Sequence, residues 1–196
     1  MMKRCIALLA GVIASAVLLT GCAEPAVFSE VFQLEQGQKL YTACNIWYED
    51  AGNIDCRNIQ KGSFLPVGTE IIPVETTWKD EIIFKDVKGK KYCINFSSDY
   101  RLCTMADYIG YTFTTKSRKE QLKGIDPRIQ ARILRGEVVP GMKVAHVQLA
   151  YGLPPALRTP DLRNESWVYF VSESDTLRVV LRGGVVRSVL NLNEPR

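Results

Sequence analysis

Between Lys39 and Phe96 the chain reads as short apolar-rich runs separated by turn residues at intervals of about ten. "KLYTACNIWY" and "NIDCRNI" flank Gly52-Asn53. "GTEIIPVETTW" follows the turn at "LPVG", and "EIIFKDV" and "KKYCINF" flank Lys88-Gly89. β-Branched and aromatic residues dominate these runs, which predicts strands of a small antiparallel barrel or sandwich. The period changes after residue 115. Ser117 and Glu120 have capping-box spacing, and Asp126-Pro127 supplies an N-cap followed by proline at the first helical position. Two short helices are predicted, bounded by Gly124 and Gly136. In the second, Ile129, Ile133 and Leu134 form an apolar stripe, with Arg128, Arg132 and Arg135 on another side.

The last sixty residues combine both periods. Val144, Val147 and Tyr151 share one face of a helix over 143–151, with Gly152 at its C-terminal stop and Pro154 preventing continuation. Trp167 and Tyr169 point to one side of a strand, and Val168 and Phe170 to the other. On the next strand Leu177, Val179 and Leu181 face the helices while Arg178 and Arg182 face outward; Gly183-Gly184 then permits a two-residue hairpin turn. Nearer the start, Phe28, Val31 and Phe32 align on one side of a helical turn, which predicts packing against the first domain, with docking on a partner or on lipid headgroups as the alternative.

The first residues form an export leader. Lys3 and Arg4 precede an uncharged run from Ile6 to Leu19 that is too short and too abruptly followed by polar sequence to span a bilayer. Leu19-Thr20-Gly21-Cys22 resembles the bacterial lipobox. That resemblance implies cleavage before Cys22 and acylation of its thiol, so that fatty chains (palmitate among them) hold the chain on a membrane. Ala23 and Glu24 follow in place of the aspartate that often retains such proteins at the inner membrane. The expected location is the periplasmic face of the bacterial outer membrane, with the inner membrane as the alternative.

Charge is uneven. The formal net charge is +4, and the leader carries two of the positive groups. Residues 22–115 hold nine basic and thirteen acidic side chains, and residues 116–135 hold seven and two, a basic island that could contact lipid or protein. Without Cys5 and Cys22, four cysteines are left: Cys44, Cys56, Cys93 and Cys103. In an oxidising compartment these predict disulfides. Cys44–Cys56 and Cys93–Cys103 are the preferred pairs, each flanking a turn-like stretch. The spacings do not resemble those of a zinc knuckle or ribbon.

Two further resemblances bear on fold. "LPVGTEI" followed by a Trp-containing hairpin is similar to bacterial SH3-like domains. Gly141-Met142, Gly152-Leu153-Pro154, Trp167-Val168-Tyr169 and Gly183-Gly184 resemble the pattern of the BamE/SmpA/OmlA lipoprotein family. The second likeness covers about a third of the mature chain. It implies short helices on a three-stranded antiparallel sheet and a supporting role in outer-membrane assembly. The β region before it is additional, and "PPALRTPDLRN" matches the family's connecting loop only loosely.

The expected organisation is therefore α+β: a leader at 1–21, a lipidated tether at 22–38, a disulfide-containing SH3-like barrel at 39–115 and a BamE-like two-layer domain at 116–196. Catalysis is not expected. The single histidine, His146, lies mid-helix, Glu49-Asp50 belongs to a solvated turn, and there is no phosphate-cradling glycine loop. Neither metal nor cofactor is called for, and an exported anchored chain seldom meets nucleic acid. The expected function is non-catalytic protein binding in the envelope, through Arg178, Arg182 and the loop carrying Arg158 and Arg163. The alternative is peptidoglycan binding through Trp47, Tyr48 and Trp78, whose rings could stack on sugar or peptide.

Overall fold

A computed structural model describes residues 26–191. The expected leader and Cys22 lie outside the described residues. The chain opens with helix α1 (Ala26–Phe32) and continues through strands β1 (Leu40–Thr42), β2 (Ile46–Tyr48), β3 (Ile54–Asp55), β4 (Ser63–Leu65), β5 (Glu70–Thr76), β6 (Glu81–Asp86) and β7 (Lys91–Asn95). Helices α2 (Ser98–Arg101) and α3 (Met105–Thr112) precede the short strand β8 (Phe113–Thr114). Then come helices α4 (Arg118–Gln121), α5 (Pro127–Leu134) and α6 (Val144–Tyr151), and strands β9 (Ser166–Phe170), β10 (Thr176–Arg182) and β11 (Val185–Asn191).

The architecture is α+β, but the first β region is not a closed barrel. Six strands form one sheet in the order β3-β7-β6-β5-β1-β8, with β3 and β8 at its two ends, and β2 and β4 pair separately. β3 joins β7 in parallel. The sheet's apolar face is covered by helices: α1 lies on α3 and on β5. Phe28 is buried with its ring 5.4 Å from that of Phe113, and Phe84 meets Phe113 edge-on. Helices cover the face where an SH3-like barrel would fold its sheet onto itself. The predicted packing of Phe28, Val31 and Phe32 against this half is present. Helix α3, which the strand-rich reading of 39–115 did not include, begins at a capping box in which Thr104 and Asp107 satisfy each other's backbone amides.

The second half follows its periodicity closely. β9, β10 and β11 form an antiparallel sheet with β10 in the centre. Leu177, Val179 and Leu181 are buried against the helices, and Arg178 and Arg182 are exposed. Gly183 and Gly184 both have positive φ, as a two-residue hairpin turn between Arg182 and Val185 requires. Ser117–Glu120 and Asp126 cap α4 and α5 as predicted. Ile133, Val147, Trp167 and Tyr169 are the centre of this second core.

The "LPVG" turn links the two cores. Val67 belongs to the first half by sequence, yet it is wholly buried in the second core. Gly68, at φ +70°, sits so close to α4 that a Cβ there would lie 2.4 Å from the Cβ of Arg118. Gly89 also has positive φ but faces open space. Gly68→Ala should therefore destabilise the protein by clearly more than the roughly 1 kcal/mol expected of Gly89→Ala. Urea unfolding of the two variants measures the difference; equal losses would mean that the Gly68–Arg118 approach contributes nothing.

Candidate binding surfaces

The site-bearing surfaces are set by how the halves join, and the join is polar. Helix α6 ends at the boundary, where the last carbonyls of any helix lack intrahelical donors. Asn45, fully buried, supplies several of the missing partners. At the end of α6 its Nδ2 donates to Ala150 O (3.1 Å) and its backbone N–H to Leu149 O (3.0 Å); the same Nδ2 donates to Ile133 O (2.7 Å) in α5, and its Oδ1 accepts from Val67 N–H (2.8 Å). Asn58 works beside it. Its Nδ2 donates to Tyr151 O (2.9 Å) and to Asn45 O (3.0 Å), while its Oδ1 accepts from Trp47 N–H (2.7 Å). Asn58 adopts φ +58°, a left-handed conformation that asparagine tolerates better than most residues.

Arg101, almost wholly buried, completes the junction. Its guanidinium donates to Leu153 O (2.9 Å) and, through Nε and Nη2, to Cys56 O. The plane also lies over the ring of Tyr108. Gly152 must be glycine on two counts: φ is +75°, and a Cβ would approach the sulfur of Cys44 to 3.1 Å. Asn45, Asn58 and Arg101 were not among the expected site residues. Asn45 and Asn58 lie inside runs read as strands, and nothing local marks them, because the carbonyls they serve lie roughly ninety to a hundred residues away in sequence.

The four cysteines stand as free thiols, and neither expected pair is joined. On β7, Tyr92 and Ile94 enter the first core, so Cys93 between them points to the other face of the sheet. Cys103 packs against that same first core, its sulfur 3.5 Å from the hydroxyl of Tyr111. The sheet thus separates Cys93 from Cys103. Cys44 is buried against Gly152, and burial pushes its thiol up to about 12. Burial also raises the thiols of Cys56 and Cys93.

Among the expected binding residues, Arg178 and Arg182 lie on the outward face of β10. Val168 and Leu190 flank Arg178 across the sheet, and Leu190 is 46 % exposed. Arg158 and Arg163 are on the neighbouring loop with exposed Leu157 and Leu162. Arg158 lies over Phe170 (5.8 Å), as Arg57 from the first half does (5.1 Å), while Arg163 is held by Asp161 (2.8 Å). The two tryptophans are not brought together. Trp47 packs on Phe64 and against Gly136 and lines a cleft of about 440 Å³ with Tyr48, Glu49, Asp50 and Glu173. Trp78 is 88 % exposed at the β5–β6 hairpin tip and is not part of that cleft.

The basic island is partly self-neutralised. Arg132 and Arg135 both pair with Glu137, whose carboxyl they hold down at about 2, and Arg118 donates to Val67 O. His146 is half-buried in α6, where its Nδ1 accepts from the Lys143 backbone amide (3.1 Å), leaving the proton on Nε2. No group of three or more potential metal ligands occurs among the described residues, and no described helix is long and apolar enough to cross a membrane. Compared with known proteins, the chain matches no family model, no curated protein and no solved structure. The BamE-like and SH3-like resemblances therefore rest on the motifs in the sequence.

Two measurements check this geometry. Asn45→Leu keeps the branched shape of the side chain but leaves the Ala150 carbonyl and the Val67 amide without this partner, while Ile133 O retains the Gly136 amide. It should lower the unfolding free energy by at least about 2 kcal/mol, at roughly 1 kcal/mol or more per orphaned group. A loss below about 1 kcal/mol in urea titration would contradict the junction described. His146 should titrate below the ordinary 6.5, because desolvation and then Lys143 disfavour its charged form. Its contribution to stability is present above that value and is lost as the pH falls through the folded pKa. Proton NMR of the single imidazole reads this directly, and Lys143→Gln should move the midpoint upward.

Proposed function

We propose that this chain is a non-catalytic, lipid-anchored envelope protein that acts by binding another envelope protein. The anchor is Cys22, read from the lipobox-like Leu19-Thr20-Gly21-Cys22, and the location is the periplasmic face of the outer membrane. The observation that carries the binding role is the outward face of the three-stranded sheet. Arg178 and Arg182 alternate there with Val180, flanked by Val168 and Leu190, beside a loop that exposes Leu157 and Leu162. A surface mixing arginine with apolar side chains suits protein recognition, since arginine can hydrogen-bond and pack at once. The BamE-like motifs in the same half support a role in assembling or maintaining outer-membrane components.

Two experiments test this reading. Mass analysis of the native protein should find a diacylglyceryl thioether at a mature N-terminal Cys22; an unmodified sulfur or a retained leader would refute the anchor. Affinity capture from the native envelope after mild crosslinking should recover a protein partner. The Arg178→Glu/Arg182→Glu variant should lose that partner while changing stability by less than about 0.5 kcal/mol per exposed site. Capture that survives this variant would place the partner elsewhere.

A second reading is favoured by the cleft of Trp47 and Tyr48, whose acidic rim could meet the free amines of wall peptides. On that reading the protein should sediment with purified sacculi, and Tyr48→Ala should release it. No sedimentation would remove the reading.

A further inference from the structure

A second concavity differs from the acidic cleft in charge and lining. An open groove of about 580 Å³ runs between the two halves, where one face of α6 (Ala145, His146, Gln148, Leu149) looks toward β8 and the start of the basic island. Its charged and titratable rim is Lys116, Lys123 and His146, and its apolar surface comes from Tyr111, Leu149 and Leu153 with their neighbours. No aspartate or glutamate lines it. Neither Lys116 nor Lys123 makes a salt bridge among the described residues. Glu120, which feels the charge of both lysines, accepts from the backbone amide and hydroxyl of Ser117 at 2.8 and 2.6 Å, and the lysines act on it more weakly than those bonds.

We infer that this groove binds an alkyl carboxylate, a single-chain fatty acid anion. Its headgroup lies between Lys116, Lys123 and the Nε2–H of His146, and its chain lies along Leu149, Leu153 and Tyr111. Three things carry this beyond the mere existence of a crevice. The charge that lines it is of one sign: two lysines and no carboxylate, with neither lysine in a salt bridge among the described residues. The volume falls in the range of small-molecule sites, which favour domain junctions. The floor is apolar where the rim is cationic, so a ligand that is anionic at one end and apolar along its length leaves neither part of the groove mismatched. A small inorganic anion would leave the apolar floor wet, and a neutral lipid would leave two ammonium groups uncompensated. Because both halves line the groove, a ligand bound only to the folded state should also raise the midpoint of unfolding.

The test uses the full-length chain carrying Cys22→Ser, which removes the anchoring thiol and leaves residues 26–191 unchanged. Laurate below its micellar concentration is titrated calorimetrically. The expected result is saturable one-to-one binding with a rise in melting temperature. It should weaken at least tenfold in Lys116→Glu/Lys123→Glu and be blocked by Ala145→Trp, which fills the groove from the α6 side; both variants are checked for folding by circular dichroism. Dodecyl maltoside, with the same chain and no charge, should not compete. Absent or non-saturable laurate binding, equal binding of the maltoside, or insensitivity of folded variants would each overturn the proposal. So would a tenfold preference for dodecyl phosphate, which would reassign the headgroup, or binding of an acidic apolar peptide without laurate, which would give the groove to a protein. Partner capture through Arg178 and Arg182 does not enter this experiment, so its outcome is separate from that of the proposed protein-binding role.

Discussion

The carbonyl end of α6 is the constraint around which this molecule is arranged. A helix that stops inside a protein leaves strong acceptors with nowhere to turn, and burying them unmet would cost several kcal/mol. Here the β-rich half provides the donors: Asn45, just before β2, meets Leu149 O and Ala150 O, Asn58, after β3, meets Tyr151 O, and Arg101, at the end of α2, meets Leu153 O just beyond the helix. The same contacts satisfy the donors' own needs, since Asn45 also receives Val67 N–H and Asn58 receives Trp47 N–H. A side chain that closes a network on both sides stabilises one arrangement of the two halves over any other, because a shifted helix would strand several groups together.

This junction explains why two hydrophobic cores coexist with close association. The first core, from Phe28 to Phe113, and the second, from Leu122 to Val186, are built almost wholly from their own stretches of chain; Val67 is the buried exception. Apolar packing stabilises each half, while hydrogen bonds fix how the halves meet. Arg101 is an instructive case. It is a buried cation with backbone carbonyls and an aromatic face in place of a carboxylate, so its charge is met by dipoles and ring electrons. The grooves and the exposed sheet face follow from this rigid placement. The acidic cleft draws Ser172, Glu173 and Ser174 from one half and Trp47 to Lys61 from the other, and the cationic groove likewise takes lining from both.

How much of this was legible in the sequence depended on range. Caps, helix stripes and the Gly183-Gly184 hairpin involve residues a few positions apart, and the second half matches its periodicity for that reason. The alternation of Leu177, Val179 and Leu181 with Arg178 and Arg182 placed each side chain on its observed face. Local patterns with a non-local outcome were less legible. Regular strand spacing suggested a closed barrel, but α1 and α3 cover the sheet instead, and the Thr104–Asp107 spacing that announces α3 stood in the sequence unused. Turn-flanking cysteines suggested short-range bridges, and that spacing carried nothing about the faces on which Cys93 and Cys103 lie. The junction was the least legible part. An asparagine within a strand-like run looks the same whether it meets water or the end of a distant helix.

Native-state hydrogen exchange at the backbone amides of Asn45 and Val67 tests the central claim most directly. Asn45 N–H donates across the junction to Leu149 O, and Val67 N–H, whose side chain is buried in the second core, donates to Asn45 Oδ1 within the junction network. If the halves are locked as one cooperative unit, these amides should open only with global unfolding and share the protection of Ile83 in β6 and Val179 in β10. Exchange at Asn45 and Val67 that is orders of magnitude faster, with both cores still protected, would show the halves parting while each stays folded and would contradict the account.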